Sequence, residues 1–129
     1  MITNVNNYCE QLLTMSQAIN SSAYCKVTNN SLCHASLTIT FLVGRKVNRI
    51  NSPFIKPNSS YVAKYPSNAT NIVIQVFNRS FVEAPVLCTK NLATSGRVCF
   101  RLIGPEEHPT CNEVPCSSLN AFYTSCCSI

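Results

Sequence analysis

The chain has 129 residues, with five lysines and five arginines against five glutamates, and it contains no aspartate and no tryptophan. That length allows one domain with its own hydrophobic core, carrying a formal charge of +5. The missing aspartate excludes a Ser-His-Asp triad, an aspartyl-protease dyad and an ordinary EF-hand loop. Three glycines are too few for a P-loop or the usual dinucleotide-binding turn.

In chain order, the first predicted element is a short N-terminal helix. Tyr8, Leu12, Met15 and Ile19 recur at three- and four-residue spacing, with asparagines ahead as caps and Asn20-Ser-Ser behind. Such a stripe is a core face and carries no chemistry. From Ser36 the period becomes two. Leu37, Ile39, Phe41 and Val43 alternate with Thr38 and Thr40, which predicts a strand over Ser36–Arg45 that Gly44 can end. Tyr61–Tyr65 is a short strand candidate between prolines. Asn71–Val82 is the strongest strand, with Ile72, Ile74 and Val76 on one side. Arg97–Ile103 is a third, where Val98, Phe100 and Leu102 alternate with Arg97, Cys99 and Arg101, and Gly104-Pro105 stops it. A short helix at Ser117–Tyr123 closes the sequence of elements. The expected fold is mainly β: a disulfide-stapled antiparallel β-sandwich with one short N-terminal helix, residues 1–129 forming a single secreted glycoprotein domain.

Nine cysteines set the compartment: Cys9, Cys25, Cys33, Cys88, Cys99, Cys111, Cys116, Cys126 and Cys127. No C-x-x-C occurs and neither histidine lies in a spaced pair, so no metal site is expected. The cysteines read as a disulfide framework formed in an oxidising compartment. An odd count leaves one unpaired or joined to another chain, and spacing does not decide the pairing. Sequons at Asn20, Asn29, Asn58, Asn68 and Asn78 add the expectation of N-linked glycans on most of them. Residues 1–8 lack the basic start and apolar core of a signal peptide, which predicts a mature form or a fragment of a longer precursor. The longest apolar stretch, Leu37–Val43, is too short to span a bilayer.

Arg45, Lys46 and Arg49 form the one basic cluster, after the first strand, and Arg79, Arg97 and Arg101 could extend it. The simplest reading of this charge is a solvated surface; outside a cell an acidic polysaccharide is the next, ahead of nucleic acid. Cys25-Lys26-Val27-Thr28-Asn29 resembles a Cys-Lys segment of pancreatic-type ribonucleases. That family needs a histidine on its first helix, and the predicted helix here has none. His34 and His108 read as loop residues, and neither an enzymatic role nor a cofactor is expected.

The order of motifs in the remaining chain resembles a known family. Cys33–Gly44 is a cysteine followed by an alternating strand ending in Val-Gly. After it come Asn51-Ser-Pro-Phe54, the strand Thr70–Asn78, Val98-Cys99-Phe100-Arg101-Leu102, Pro109-Thr-Cys111, Cys116–Phe122 and the pair Cys126-Cys127. This succession, over roughly residues 33–127, resembles the pherophorin domain of algal extracellular-matrix glycoproteins. The glycine-rich insertion usual in that tail is missing here. The resemblance implies an extracellular structural glycoprotein, a building or binding unit of a cell wall, matrix or surface filament. Its partners would be copies of itself, other matrix glycoproteins or an acidic polysaccharide. A secreted or viral surface glycoprotein that binds a host receptor or ligand is the alternative reading, and a secreted basic ribonuclease-like hydrolase the third.

Overall fold

Eight runs become strands in the computed structural model, which describes residues 23–116. They are β1 (Ala23–Ser31), β2 (Ala35–Val43), β3 (Lys46–Asn51), β4 (Ser59–Tyr65), β5 (Thr70–Asn78), β6 (Val86–Thr94), β7 (Arg97–Gly104) and β8 (Thr110–Val114). Two four-stranded sheets result, in the orders β4-β1-β7-β8 and β3-β2-β5-β6. Their inner faces share one core. Leu37 and Ile39 of β2 and Ile72, Ile74 and Val76 of β5 are fully buried there with Val27 of β1 and Leu102 of β7. Each such side chain stabilises the fold by about 1.5–3 kcal/mol relative to exposure. At one end, the rings of Phe41 and Tyr65 meet across the layers with centroids 5.8 Å apart.

The period-two reading places the inner residues of β2, β5 and β7 correctly. Gly44, at φ +62°, starts the two-residue turn to β3, a conformation that favours glycine at the first turn position of a tight hairpin. The expected antiparallel sandwich with an N-terminal helix is corrected in two respects. β1 and β7 run parallel, Tyr24 opposite Arg97 through Ser31 opposite Gly104. The chain enters β7 from the turn after β6, at the end of the sandwich where β1 begins, so both strands point the same way. Among the described residues there is also no helix: the predicted helices at Tyr8–Ile19 and Ser117–Tyr123 lie outside them.

The two sheets are fastened along one side. Cys88 opposes the buried Val76 and Cys111 opposes the buried Leu102, so both sulfurs point inward from the edge strands β6 and β8, and they join in a disulfide with Cα atoms 6.0 Å apart. Two residues on along each strand, Lys90 Nζ meets Glu113 Oε1 at 3.1 Å. This ion pair is solvent-accessible and contributes at most about 1 kcal/mol. The second disulfide, Cys99–Cys116, lies on the outer side of β7 and ties it to the segment leaving β8.

Candidate functional site

The strand directions gather four connections at one end: those between β1 and β2, β3 and β4, β5 and β6, and β7 and β8. Three of the four are longer than a tight turn. A loop of that length gains a fixed shape only if its backbone groups find partners. Two buried asparagines supply them.

Asn29 is 0% exposed at the inner face of β1. Its Nδ2 donates to the carbonyl oxygens of Cys33 at 2.8 Å and Ile55 at 2.9 Å, one in each neighbouring loop. Its Oδ1 accepts from the Ser31 amide at 3.0 Å and from the Ser31 hydroxyl. The Asn29 carbonyl accepts from the Asn58 amide, which brings in the far end of the β3–β4 loop. Asn78, 1% exposed at the end of β5, repeats the device. Its Oδ1 accepts from the Ser80 amide at 3.0 Å, and its Nδ2 donates to the Glu106 carbonyl at 2.9 Å in the β7–β8 loop. The halves are then clasped together. The His34 amide donates to Ser80 Oγ, and the Arg79 amide donates to the His34 carbonyl. Among the described residues no buried side-chain nitrogen or oxygen lacks a partner.

On this braced base the loops hold apolar side chains out into solvent. Leu32 is 68% exposed, Phe54 59% and Val82 101%, with Val86 and Ile103 also exposed at the same end. Around them stand Glu83, Glu106, Glu107, His34 and His108, all exposed. Single exposed apolar residues are commonplace, but here five are collected at one end. Sequence reading passed over them. Their signal was only that bulky apolar residues occupy otherwise polar loops, as in Asn51-Ser-Pro-Phe54.

The expected site residues separate. Asn58 and Asn68 lie exposed in turns, where a glycan could be carried, and Asn20 lies outside the described residues. Asn29 and Asn78 are corrected: both Nδ2 protons of Asn29 are spent inside the protein, and neither asparagine has room for a glycan in the fold. Cys9, Cys126 and Cys127 lie outside the described residues. Cys25 and Cys33 are both free and buried, so the expectation of a single unpaired cysteine is corrected to at least two. They sit near opposite ends of β1, on the order of 20 Å apart, too far for a bond to each other. Arg45, Lys46 and Arg49 are exposed on the β2–β3 hairpin, whereas Arg97 and Arg101 belong to the other sheet and do not extend that cluster. Arg79 is engaged locally, its Nε donating to Ser36 Oγ at 2.7 Å and its guanidinium 5.1 Å from the Phe77 ring centre. His34 and His108 occupy different loops.

Burial, and secondarily the charge of Glu113, pushes the Cys25 thiol up to about 12 from an ordinary value near 9. The unfolded thiol ionises near 9 while the folded one resists. The stability carried by this burial is therefore complete below pH 9 and is lost as pH rises towards 12. Urea unfolding from pH 9 to pH 11 should show stability falling with pH, and Cys25→Ala should flatten that fall. An unchanged slope in the variant would refute it.

The described chain is thus a disulfide-linked two-sheet sandwich with four connections gathered at one end. No protein-family model and no curated protein matches the sequence. Solved structures do share the fold. Suilysin, a cytotoxin from Streptococcus suis, matches 73% of this chain with 13% identity and a TM-score of 0.54. Listeriolysin O matches 72% with 11% identity and a TM-score of 0.55. A disulfide-locked mutant of intermedilysin with human CD59 matches 72% with 11% identity and a TM-score of 0.53. The matched part covers 23%, 22% and 24% of those toxin chains, less than a quarter of each, and at such identities the likeness is one of fold alone.

Proposed function

We propose that this protein is an extracellular binding module that holds a protein partner at the loop-bearing end of its sandwich, on a cell surface or in a matrix. The observation that carries the reading is the exposure of Leu32, Phe54 and Val82 on loops fixed from beneath by Asn29 and Asn78. Apolar anchors on a preorganised base lose little freedom on docking, so more of their burial is available as affinity. Two disulfides support an oxidising compartment. The pherophorin-like order of motifs supports a matrix as the setting. Intermedilysin, whose chain contains the same sandwich, is seen with a second protein, human CD59. A covalently cross-linked building unit is less well supported, because two of the free thiols, Cys25 and Cys33, are buried in the core.

The test is saturable binding of the labelled protein to the surface of its source cells or their matrix. Leu32→Ser, Phe54→Ser and Val82→Ser combined should weaken it by about 100-fold, at roughly 1 kcal/mol per anchor, with the melting temperature unchanged. Binding equal to that of the parent would remove the loop end as the docking surface.

A further inference from the structure

The outer face of the β4-β1-β7-β8 sheet gathers four cations on three neighbouring strands. Strand alternation puts Lys64 of β4, Lys26 of β1, and Arg97 and Arg101 of β7 on it. Among the described residues no carboxylate shares the face. Glu83, Glu106 and Glu107 lie in loops at the contact end, and Glu113 points inward to Lys90. Register fixes the arrangement. Lys64, Tyr24 and Arg97 form one row across three strands. Lys26 lies in the next row beside Cys99, and Arg101 one row further beside Thr28. With strands about 4.8 Å apart and same-face residues about 7 Å apart along a strand, the cations are spread over about 14 Å. Lys64 and Arg101 are exposed, and Lys26 is half-buried.

We propose that this face binds an acidic polysaccharide, a glycan chain bearing sulfate or carboxylate groups at repeating intervals. A broad sheet surface with cations in successive rows suits an extended polyanion better than a single small anion, which would meet one cation at a time. The Arg101 guanidinium offers a planar fork that matches sulfate and carboxylate oxygens. The half-buried Tyr24, lying between Lys64 and Arg97, offers a ring against a sugar face, and Thr28 and Asn112 offer groups for sugar hydroxyls. The oxidising compartment implied by the two disulfides is where such glycans occur and where nucleic acid is scarce. Lys26, Lys64 and Arg101 carry the proposal. The site adjoins the loop-bearing end at Ile103, one row beyond Arg101, and lies on the other sheet from the Arg45-Lys46-Arg49 hairpin.

The experiment uses the intact protein and heparin as the probe. Heparin affinity is measured across salt concentrations for the parent, for Lys26→Gln/Lys64→Gln/Arg101→Gln, and for Arg45→Gln/Lys46→Gln/Arg49→Gln. The two variants lose the same net charge. The sheet variant should bind about tenfold or more weakly at physiological salt, and its slope of log affinity against log salt should be smaller by about 2, as for three contacts removed from a linear polyanion. The hairpin variant should stay within about twofold of the parent, because surface charges beyond a Debye length are screened. Thermal melting confirms that both variants are folded. Heparin binding unchanged in the sheet variant, or lost only in the hairpin variant, would overturn the proposal. So would a parent protein that prefers an oligonucleotide or anionic phospholipid vesicles to heparin.

Discussion

Asn29→Ala is expected to lower the unfolding free energy by about 3–5 kcal/mol, a large fraction of the stability of a domain this size. The substitution leaves the Cys33 and Ile55 carbonyls and the Ser31 amide without their partner in a fully buried place, and each orphaned group costs about 1–3 kcal/mol. Asn29→Asp is expected to be at least as harmful. It keeps the acceptor for Ser31 but sets a carboxylate oxygen against two carbonyl oxygens where an amide now donates. Asn78→Ala should cost less, about 2–4 kcal/mol, because one carbonyl and one amide lose a partner rather than two carbonyls and an amide. Urea unfolding of the three variants checks the order. An Asn29→Ala protein as stable as the parent would show that the loop end is held by something other than this bracket.

Removing the bond between the sheets is the second large effect. Cys88 and Cys111 are separated by 23 residues, and closing a loop of that size in the unfolded chain is worth about 3 kcal/mol. Cys88→Ala/Cys111→Ala should therefore melt about 12–24 °C lower, at 4–8 °C per kcal/mol. The Lys90–Glu113 contact beside it is too exposed to compensate. Adding a reductant to the parent should reproduce at least this loss, since the Cys99–Cys116 bond would open too. A melting temperature equal to the parent's would mean that the bond is not formed or that the unfolded chain is not loosened by its loss.

Local pattern made part of this architecture legible. β2, β5 and β7 are central strands, so their inner positions needed large apolar residues, and Leu37, Ile39, Ile72, Ile74, Phe100 and Leu102 announced a period of two. β1 is equally central but was missed. Its inner row is Ala23, Cys25, Val27, Asn29 and Ser31, in which only one residue is a strong hydrophobe. The edge strands β3, β6 and β8 are half exposed and show no clean alternation. Asn29 and Asn78 were misread for a chemical reason. Asn-x-Ser is the acceptor pattern for a glycan and also the pattern of a turn in which the asparagine oxygen receives the amide two residues on, and only burial tells them apart. Cysteine pairing, the parallel register and the gathering of Leu32, Phe54 and Val82 all depend on distant segments meeting. No window of sequence holds that information.

The parallel contact between β1 and β7 governs when the molecule can be completed. β1 lies against β4 and β7, and its partners in β7 come about 70 positions later in the chain. The sheet β3-β2-β5-β6 can assemble from neighbouring hairpins as the polypeptide emerges, but the other sheet must wait for its last third. Contacts so distant in sequence slow folding. During that wait β1 has an open side, and its buried thiol Cys25 is still accessible. An oxidising compartment therefore leaves a window in which Cys25 can be captured in a wrong pairing before β7 arrives to cover it.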